Sequence, residues 1–81
     1  MAATKRGRDY PRKLARKLRR VRVKAGLSQS EIAKAVGVTD RALISQYETG
    51  KRQPSLPVLL RYARLARVTM DVLVDDKMKL P

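Results

Sequence analysis

The stretch Gln29–Glu48, QSEIAKAVGVTDRALISQYE, decides the fold of this chain. Ser28 precedes it, and Glu31 follows three residues later, a spacing in which each side chain can bond the backbone amide of the other and begin a helix. The helix carries an apolar stripe of Ile32, Ala33 and Val36. Gly37 can adopt the left-handed conformation that ends a helix and turns the chain sharply. The stretch is therefore predicted to begin with a short amphipathic helix that stops at a glycine turn.

A second short helix is predicted after the turn, with Thr39 or Asp40 as its cap. Helical spacing gives it an inward side made of Ile44, Tyr47 and Glu48. The outward side carries small and polar residues: Ala42, Ser45, Gln46 and Thr49. Two short helices joined by a glycine turn form the layout of a helix-turn-helix, whose second helix enters the major groove of DNA.

Three runs of sequence resemble the phage-repressor and Xre type (Cro-like) of helix-turn-helix DNA-binding domain. They are LSQSEIAKAVGV, ISQYETGKRQPS and LLRYARLARVTMDVL, and the resemblance covers roughly residues 14–74. It implies an all-α fold, a compact five-helix domain of the lambda-repressor-like kind. It also implies that the loop cations after the second helix of the motif meet phosphate.

The sequence departs from the usual family spacing at one place. That spacing would put the inward apolar pair of the second motif helix on Leu43 and Gln46, although Gln46 is polar. A shift by one residue gives Ile44 and Tyr47, which fits an inward face. One extra residue is therefore predicted in the turn, within residues 38–40.

The resemblance also places an arginine at Arg22 that pairs with Glu48. An inward carboxylate needs a cation, and a guanidinium can hold it in two parallel hydrogen bonds. A structural ion pair is therefore expected to tie the first helix to the second helix of the motif. The alternative is an exposed pair of little consequence.

Composition restricts the class of protein. The formal net charge is +13, and Lys and Arg are concentrated between Met1 and Gly26, where Asp9 is the only acid. Such an excess of positive charge favours phosphate partners. The chain has no Cys and no His, so we expect no enzyme, no metal site and no cofactor. No apolar run is long enough to span a membrane, which predicts a cytoplasmic, nucleoid-associated protein.

The chain divides into a flexible basic arm at 1–10, a helix-turn-helix domain at 11–74 and a tail at 75–81. The first helix is predicted from Pro11 to about Ala25, with a core stripe of Leu14, Leu18, Val21 and Ala25. A solvated basic ridge on another face consists of Lys13, Lys17, Arg20 and Lys24.

The remaining helices are predicted from caps and apolar spacing. Ser55 caps a fourth helix with a core stripe of Leu56, Leu59, Leu60, Ala63 and Ala66. Arg67 stands where the family often has Gly or Asn, so either it accepts a positive φ or the helix ends another way. Thr69 can cap a short fifth helix from Met70 to about Val74.

These elements predict three groups of functional residues. Base contacts are expected from Arg41, Ala42, Ser45 and Gln46. Phosphate contacts are expected from Gln29, Lys51 and Arg52, joined by Lys5, Arg6 and Arg8 of the arm. A dimer contact is expected at the C-terminal end, from Met70, Leu73 and Val74. Whether the arm contacts DNA or plays no part is left open.

The function predicted from the sequence is that of a sequence-specific DNA-binding transcriptional regulator, a repressor that binds a palindromic operator as a homodimer. A narrower version is an antitoxin or controller regulator that also binds a partner protein. An alternative is a non-specific nucleic-acid-binding or packaging protein that relies on charge alone. A membrane-surface binder is disfavoured because its cationic first helix lacks aromatic anchors.

Overall fold

The structure is a computed structural model that describes residues 11–81. Within that range five α-helices follow one another: α1 Leu14–Lys24, α2 Gln29–Val36, α3 Arg41–Thr49, α4 Leu56–Ala66 and α5 Met70–Val74. Residues 11–81 contain no strand, so the expected all-α, five-helix fold is confirmed. Among them, no helix has both the length and the apolar character needed to cross a membrane.

The core is formed by one face of every helix. Its fully buried side chains are Leu18, Ile32, Val36, Ile44, Tyr62 and Leu73. On α1, Leu14, Leu18 and Val21 are buried as the spacing predicts. Ala25 is exposed instead, because α1 ends before it and the chain turns away from the core there.

The start of α1 is stabilised by the end of the chain. Asp76 accepts hydrogen bonds from the backbone amides of Arg12 and Lys13, each at 3.0 Å. These bonds satisfy amides beside the helix start, which have no partner within a helix. The predicted helix start at Pro11 was therefore wrong: α1 begins at Leu14, and Lys13 occupies the N-cap without a side-chain capping bond.

Lys17 is buried rather than part of a solvated basic ridge. Only 6% of the residue is exposed, and its Nζ donates to the backbone oxygens of Val72 at 2.7 Å, Asp75 at 2.8 Å and Met78 at 2.8 Å. The three protons of the ammonium are matched by three carbonyls. Burial lowers the pKa of Lys17, and the nearby charge of Asp76 opposes that effect. The tail at 75–81 is thus bound to α1 through Lys17.

The buried face of α4 differs from the predicted one. Leu59 and Ala63 are buried as expected, but Leu56 is 72% exposed and Leu60 is also exposed. The positions predicted for them in the core are taken by Val58 and Tyr62. The predicted stripe lies beside the face of α4 that is buried. The buried face is the one that covers the large ring of Tyr62 completely.

The turn between α4 and α5 depends on how α4 ends. Arg67 caps α4 in the left-handed conformation, with φ 59°, so the positive φ considered for this position is present. The fifth helix has the predicted bounds. Thr69 stands at its N-cap, although its side chain makes no capping bond.

Candidate nucleic-acid interface

The capping box predicted at the start of α2 is formed. The amide of Glu31 donates to Ser28 Oγ at 3.0 Å, and the amide of Ser28 donates to Glu31 Oε1 at 2.8 Å. Hydrogen bonding to the carboxyl, first from the Ser28 amide and second from its hydroxyl, holds the pKa of Glu31 below its usual value. The reciprocal bonds fix the first turn of α2, whose remaining amides form the positive end of the helix dipole.

The turn between α2 and α3 is held from two sides. Gly37 ends α2 with φ 77°, and Val38 after it is buried. Arg61 of α4 donates through Nη1 to the backbone oxygen of Val36 at 3.3 Å. Of the two predicted caps, Asp40 caps α3 by accepting from the amide of Ala42 at 2.9 Å. The direction of α3 relative to α2 is therefore fixed by local bonds and by α4.

The two sides of α3 differ as the shifted register predicts. Ile44 and Tyr47 are buried. Arg41, Ala42, Ser45 and Thr49 are exposed, while Gln46 is half-buried. The hydroxyl of Thr49 donates to the backbone oxygens of Ser45 and Gln46, so it is turned onto its own helix. The exposed face of α3 consequently presents Arg41, Ala42, Ser45 and Gln46, the residues predicted to contact bases.

Behind this face, Arg22 of α1 binds Glu48 of α3. Arg22 Nε lies 2.6 Å from Glu48 Oε2, and Arg22 Nη2 lies 3.1 Å from Glu48 Oε1. Nη1 of the same guanidinium donates to the backbone oxygen of Leu27 at 3.0 Å. The hydrogen bond to Glu48 raises the pKa of Arg22 despite the opposing effect of burial. The expected ion pair is therefore present in its bidentate form.

The side chain of Gln29 joins this pair. Its Nε2 donates to Glu48 Oε1 at 3.3 Å, and the residue is half-buried. The sequence prediction assigned Gln29 to a phosphate without foreseeing this inward bond. Its side chain is thus turned toward Glu48, while its backbone amide is at the first position of α2.

The basic loop directly follows α3. Gly50 ends α3, and Lys51 and Arg52 after it are exposed, next in the chain to the outward face of α3. The other predicted phosphate ligands, Lys5, Arg6 and Arg8, lie outside the described residues.

The predicted dimer contact is partly inside the core. Leu73 has no exposed surface, so it cannot contact a second copy, and its assignment to a dimer surface was wrong. Met70 and Val74 are half-buried and pack against the core cluster. The apolar character of α5 is therefore explained by core packing of a short helix.

The fold and this surface define a helix-turn-helix domain. The sequence matches the family described as "Helix-turn-helix domain" over residues 13–76, and the chain belongs to that family. Its structure is similar to the crystal structure of the P22 c2 repressor protein in complex with synthetic operator 9T in the presence of Tl+, with a TM-score of 0.70 and 27% sequence identity. The match covers 78% of this chain and 94% of that chain. A comparison with curated proteins finds no match. The resemblance to phage-repressor domains is thereby confirmed.

Proposed function

We propose that this chain is a sequence-specific DNA-binding transcriptional regulator that inserts α3 into the major groove. The observation that carries the proposal is the exposed face of α3, which presents small and polar side chains while Ile44, Tyr47 and the Arg22–Glu48 pair hold the helix from behind. The similarity to a repressor solved in complex with a synthetic operator supports DNA as the ligand of this fold. Catalysis is not required, since occupancy of a site near a promoter is enough to repress.

Sequence readout is assigned to Arg41 and Gln46. An arginine can bond both acceptors of guanine, and a glutamine matches the donor and acceptor of adenine; each good pair discriminates by about 1–3 kcal/mol. Ala42 and Ser45 lie between them on the exposed face. Their small side chains let the backbone of α3 come close to the base edges.

Affinity is assigned to the cations and amides at the border of this face. Lys51 and Arg52 are exposed beside the end of α3. The start of α2 offers the Gln29 amide and a positive dipole end to a phosphate. These contacts carry no sequence information, but they orient the protein on the duplex and make binding sensitive to salt.

A dimer on a two-fold-symmetric site is part of the proposal, because one domain of this size reads only a few base pairs. Its contact is assigned to Leu56, supported by Leu60 one turn later. Leu56 is 72% exposed, the largest value among the exposed large apolar residues of the described range. It also starts the helix that follows the loop of Lys51 and Arg52, and we assign the meeting of two copies on adjacent half-sites to this position.

The proposal is tested by selecting bound fragments from random duplex DNA and then comparing variants on a library of the selected site. Gln46→Ala should relax the base preference at one position per half-site. The matched control Lys51→Ala should weaken all sequences about equally and lower the salt slope by about one per protomer. Selection of no preferred site would instead identify a non-specific packaging protein, and an unchanged preference in Gln46→Ala would reject its assignment to base readout.

The dimer assignment needs a separate test. Wild-type protein should bind a palindromic site cooperatively, and Leu56→Glu should bind it like an isolated half-site. Met78→Glu, at another exposed apolar residue, is the matched control and should keep cooperativity. Cooperative binding that survives Leu56→Glu would place the dimer contact elsewhere without affecting the assignment of α3.

A further inference from the structure

A groove of about 660 Å³ lies between α1, the end of α4 and the last residues of the chain. Val23 of α1, Leu65 of α4 and Leu80 line it. Val23 is 57% exposed and Leu65 is 38% exposed. The apolar surface of this groove contributes nothing to the binding of DNA described above.

The groove is on the side of α1 away from α3. Arg22 reaches α3 through Glu48, whereas Arg20, Val23 and Lys24 line the groove. At 100° per residue, the groove-lining residues of α1 are centred on roughly the opposite side of the helix from Arg22. A ligand in the groove would therefore leave the candidate nucleic-acid interface accessible.

The walls of the groove are cationic. Arg20 and Lys24 are one helical turn apart on α1, and Arg67 faces them from the end of α4. Arg67 has φ 59°, the one positive φ of a non-glycine residue in the part of the chain described. Glycine would adopt this conformation without the penalty that a Cβ brings. A cation that adopts an unfavourable backbone conformation at the wall of a groove points to a function for its charge.

We propose that this groove binds an acidic amphipathic helix of a partner protein. Apolar residues of the partner, spaced one turn apart, would cover Val23 and Leu65. Its carboxylates would pair with Arg20, Lys24 and Arg67, which lie on two different helices and so match several acidic groups along one helix. The proposal is independent of the DNA-binding function and adds a protein-interaction site to it.

Other occupants fit the groove less well. A nucleic-acid phosphate has no use for the apolar floor, and a small amphiphile with one carboxylate would leave most of the cationic wall without a partner. A second copy of this chain offers few acidic groups to the groove, since five of the six side-chain carboxylates in the described range already serve internal bonds and only Asp71 does not. Those that accept hydrogen bonds within the chain are Glu31, Asp40, Glu48, Asp75 and Asp76.

The test is selection from a displayed library of random helical peptides on the full chain, followed by affinity measurements with the enriched peptides. Enriched sequences should be acidic and carry apolar residues one turn apart. Leu65→Ser keeps the net charge of the protein and should weaken their binding about tenfold, because it removes apolar contact area. Arg67→Gly should weaken binding while raising the melting temperature by about 4 °C.

Arg64→Ala removes the same charge from α4 outside the groove lining and serves as the matched control. It should bind the peptides as the wild type does. Peptides that are not acidic, or that bind Leu65→Ser and Arg67→Gly as tightly as the wild type, would overturn the proposal. The absence of any peptide whose binding depends on the groove would also overturn it. Two results would then identify another occupant: binding of decanoate in the groove, or self-association of the wild type in sedimentation that Leu65→Ser abolishes.

Discussion

The guanidinium of Arg22 holds the carboxylate of Glu48 in two hydrogen bonds, and the Arg22 side chain is 16% exposed while that of Glu48 is 4% exposed. The pair connects α1 to α3 directly behind the face proposed to read bases. Gln29 of α2 adds a third bond to the same carboxylate. Three helices therefore meet at Glu48, and the orientation of α3 depends on that carboxylate.

Removing either partner of this pair should destabilise the protein strongly. Arg22→Ala or Glu48→Ala leaves a buried charge without compensation, at roughly 3–5 kcal/mol. The free energy of unfolding from denaturant titration measures the effect, with the exposed Arg16→Ala as control. Variants of Arg22 and Glu48 that are as stable as the control would show that solvent already screens the pair.

Tyr62→Phe should leave stability unchanged or increase it. The hydroxyl of Tyr62 is buried and has no hydrogen-bond partner within the described residues. Burial, reinforced by the charge of Glu48, raises the pKa of this phenol. Losing an unpartnered polar group removes a desolvation penalty, whereas Tyr62→Ala, which also deletes the ring, should cost roughly 3–5 kcal/mol. Thermal or denaturant melts compare the two, and a loss above about 1 kcal/mol in Tyr62→Phe would mean that an ordered water serves the hydroxyl.

Lys17→Met should release the last residues of the chain from α1. Methionine preserves the apolar stem but leaves the oxygens of Val72, Asp75 and Met78 without their donor, at roughly 1.5–3 kcal/mol. Hydrogen exchange should become faster at residues 75–81. Lys34→Met removes the same charge at an exposed position and should change neither the free energy of unfolding nor the exchange rates at residues 75–81. Equal exchange rates in the two variants would argue against the role of Lys17.

Two glycines with nearly the same φ should respond differently to alanine. Gly37 has φ +77° and Gly26 has φ +74°, so both alanine variants carry a similar backbone penalty of about 1–2 kcal/mol. A Cβ at Gly37 would meet the guanidinium of Arg61, whereas a Cβ at Gly26 meets nothing. Gly37→Ala should therefore lower the free energy of unfolding by about 1 kcal/mol more than Gly26→Ala does. This difference is the contribution of the bond from Arg61 to Val36. In an Arg61→Ala background the difference should disappear; if it persists, the bond is not its cause.

Asp76 should make stability depend on acid pH. Backbone bonds from Arg12 and Lys13 hold the pKa of Asp76 below its ordinary 3.8. Because the folded pKa is the lower one, this contribution is complete above the unfolded pKa and is lost as the pH falls through the folded pKa. The free energies of unfolding of the wild type and of Asp76→Asn, measured by denaturant titration, should differ at neutral pH and converge in strong acid. A difference that stays constant with pH would contradict this, and Asp71→Asn controls for the lost charge.

The helix-turn-helix could be predicted because its determinants are local. The capping box at Ser28, the glycine turn and the spacing of Ile44 and Tyr47 each depend on residues within one or two turns of each other. The register of α4 could not be fixed in this way, because its many apolar residues fit two adjacent faces. Only packing against the other helices selects the face that buries Tyr62.

The burial of Lys17 could not be predicted either, but for a different reason. Lys17 was predicted to form a basic ridge with Lys13, Arg20 and Lys24, and nothing nearby in the chain indicates three carbonyl partners. The same holds for the bond between Gln29 and Glu48, which the sequence prediction did not include. The assignments of Arg41 and Gln46 to bases and of Lys51 and Arg52 to phosphates stay predictions, since they concern a partner molecule.

The bonds of Lys17 also set an order of events during synthesis. Its acceptors lie 55, 58 and 61 residues further along the chain. A nascent chain cannot form them while residues 72–78 are still inside the ribosomal exit tunnel, so the ammonium of Lys17 is without these acceptors until that segment has emerged. Arg22 lies on the same helix as Lys17, and its partner Glu48 is only 26 residues further along, so the contact of α1 with α3 can form before its contact with residues 72–78.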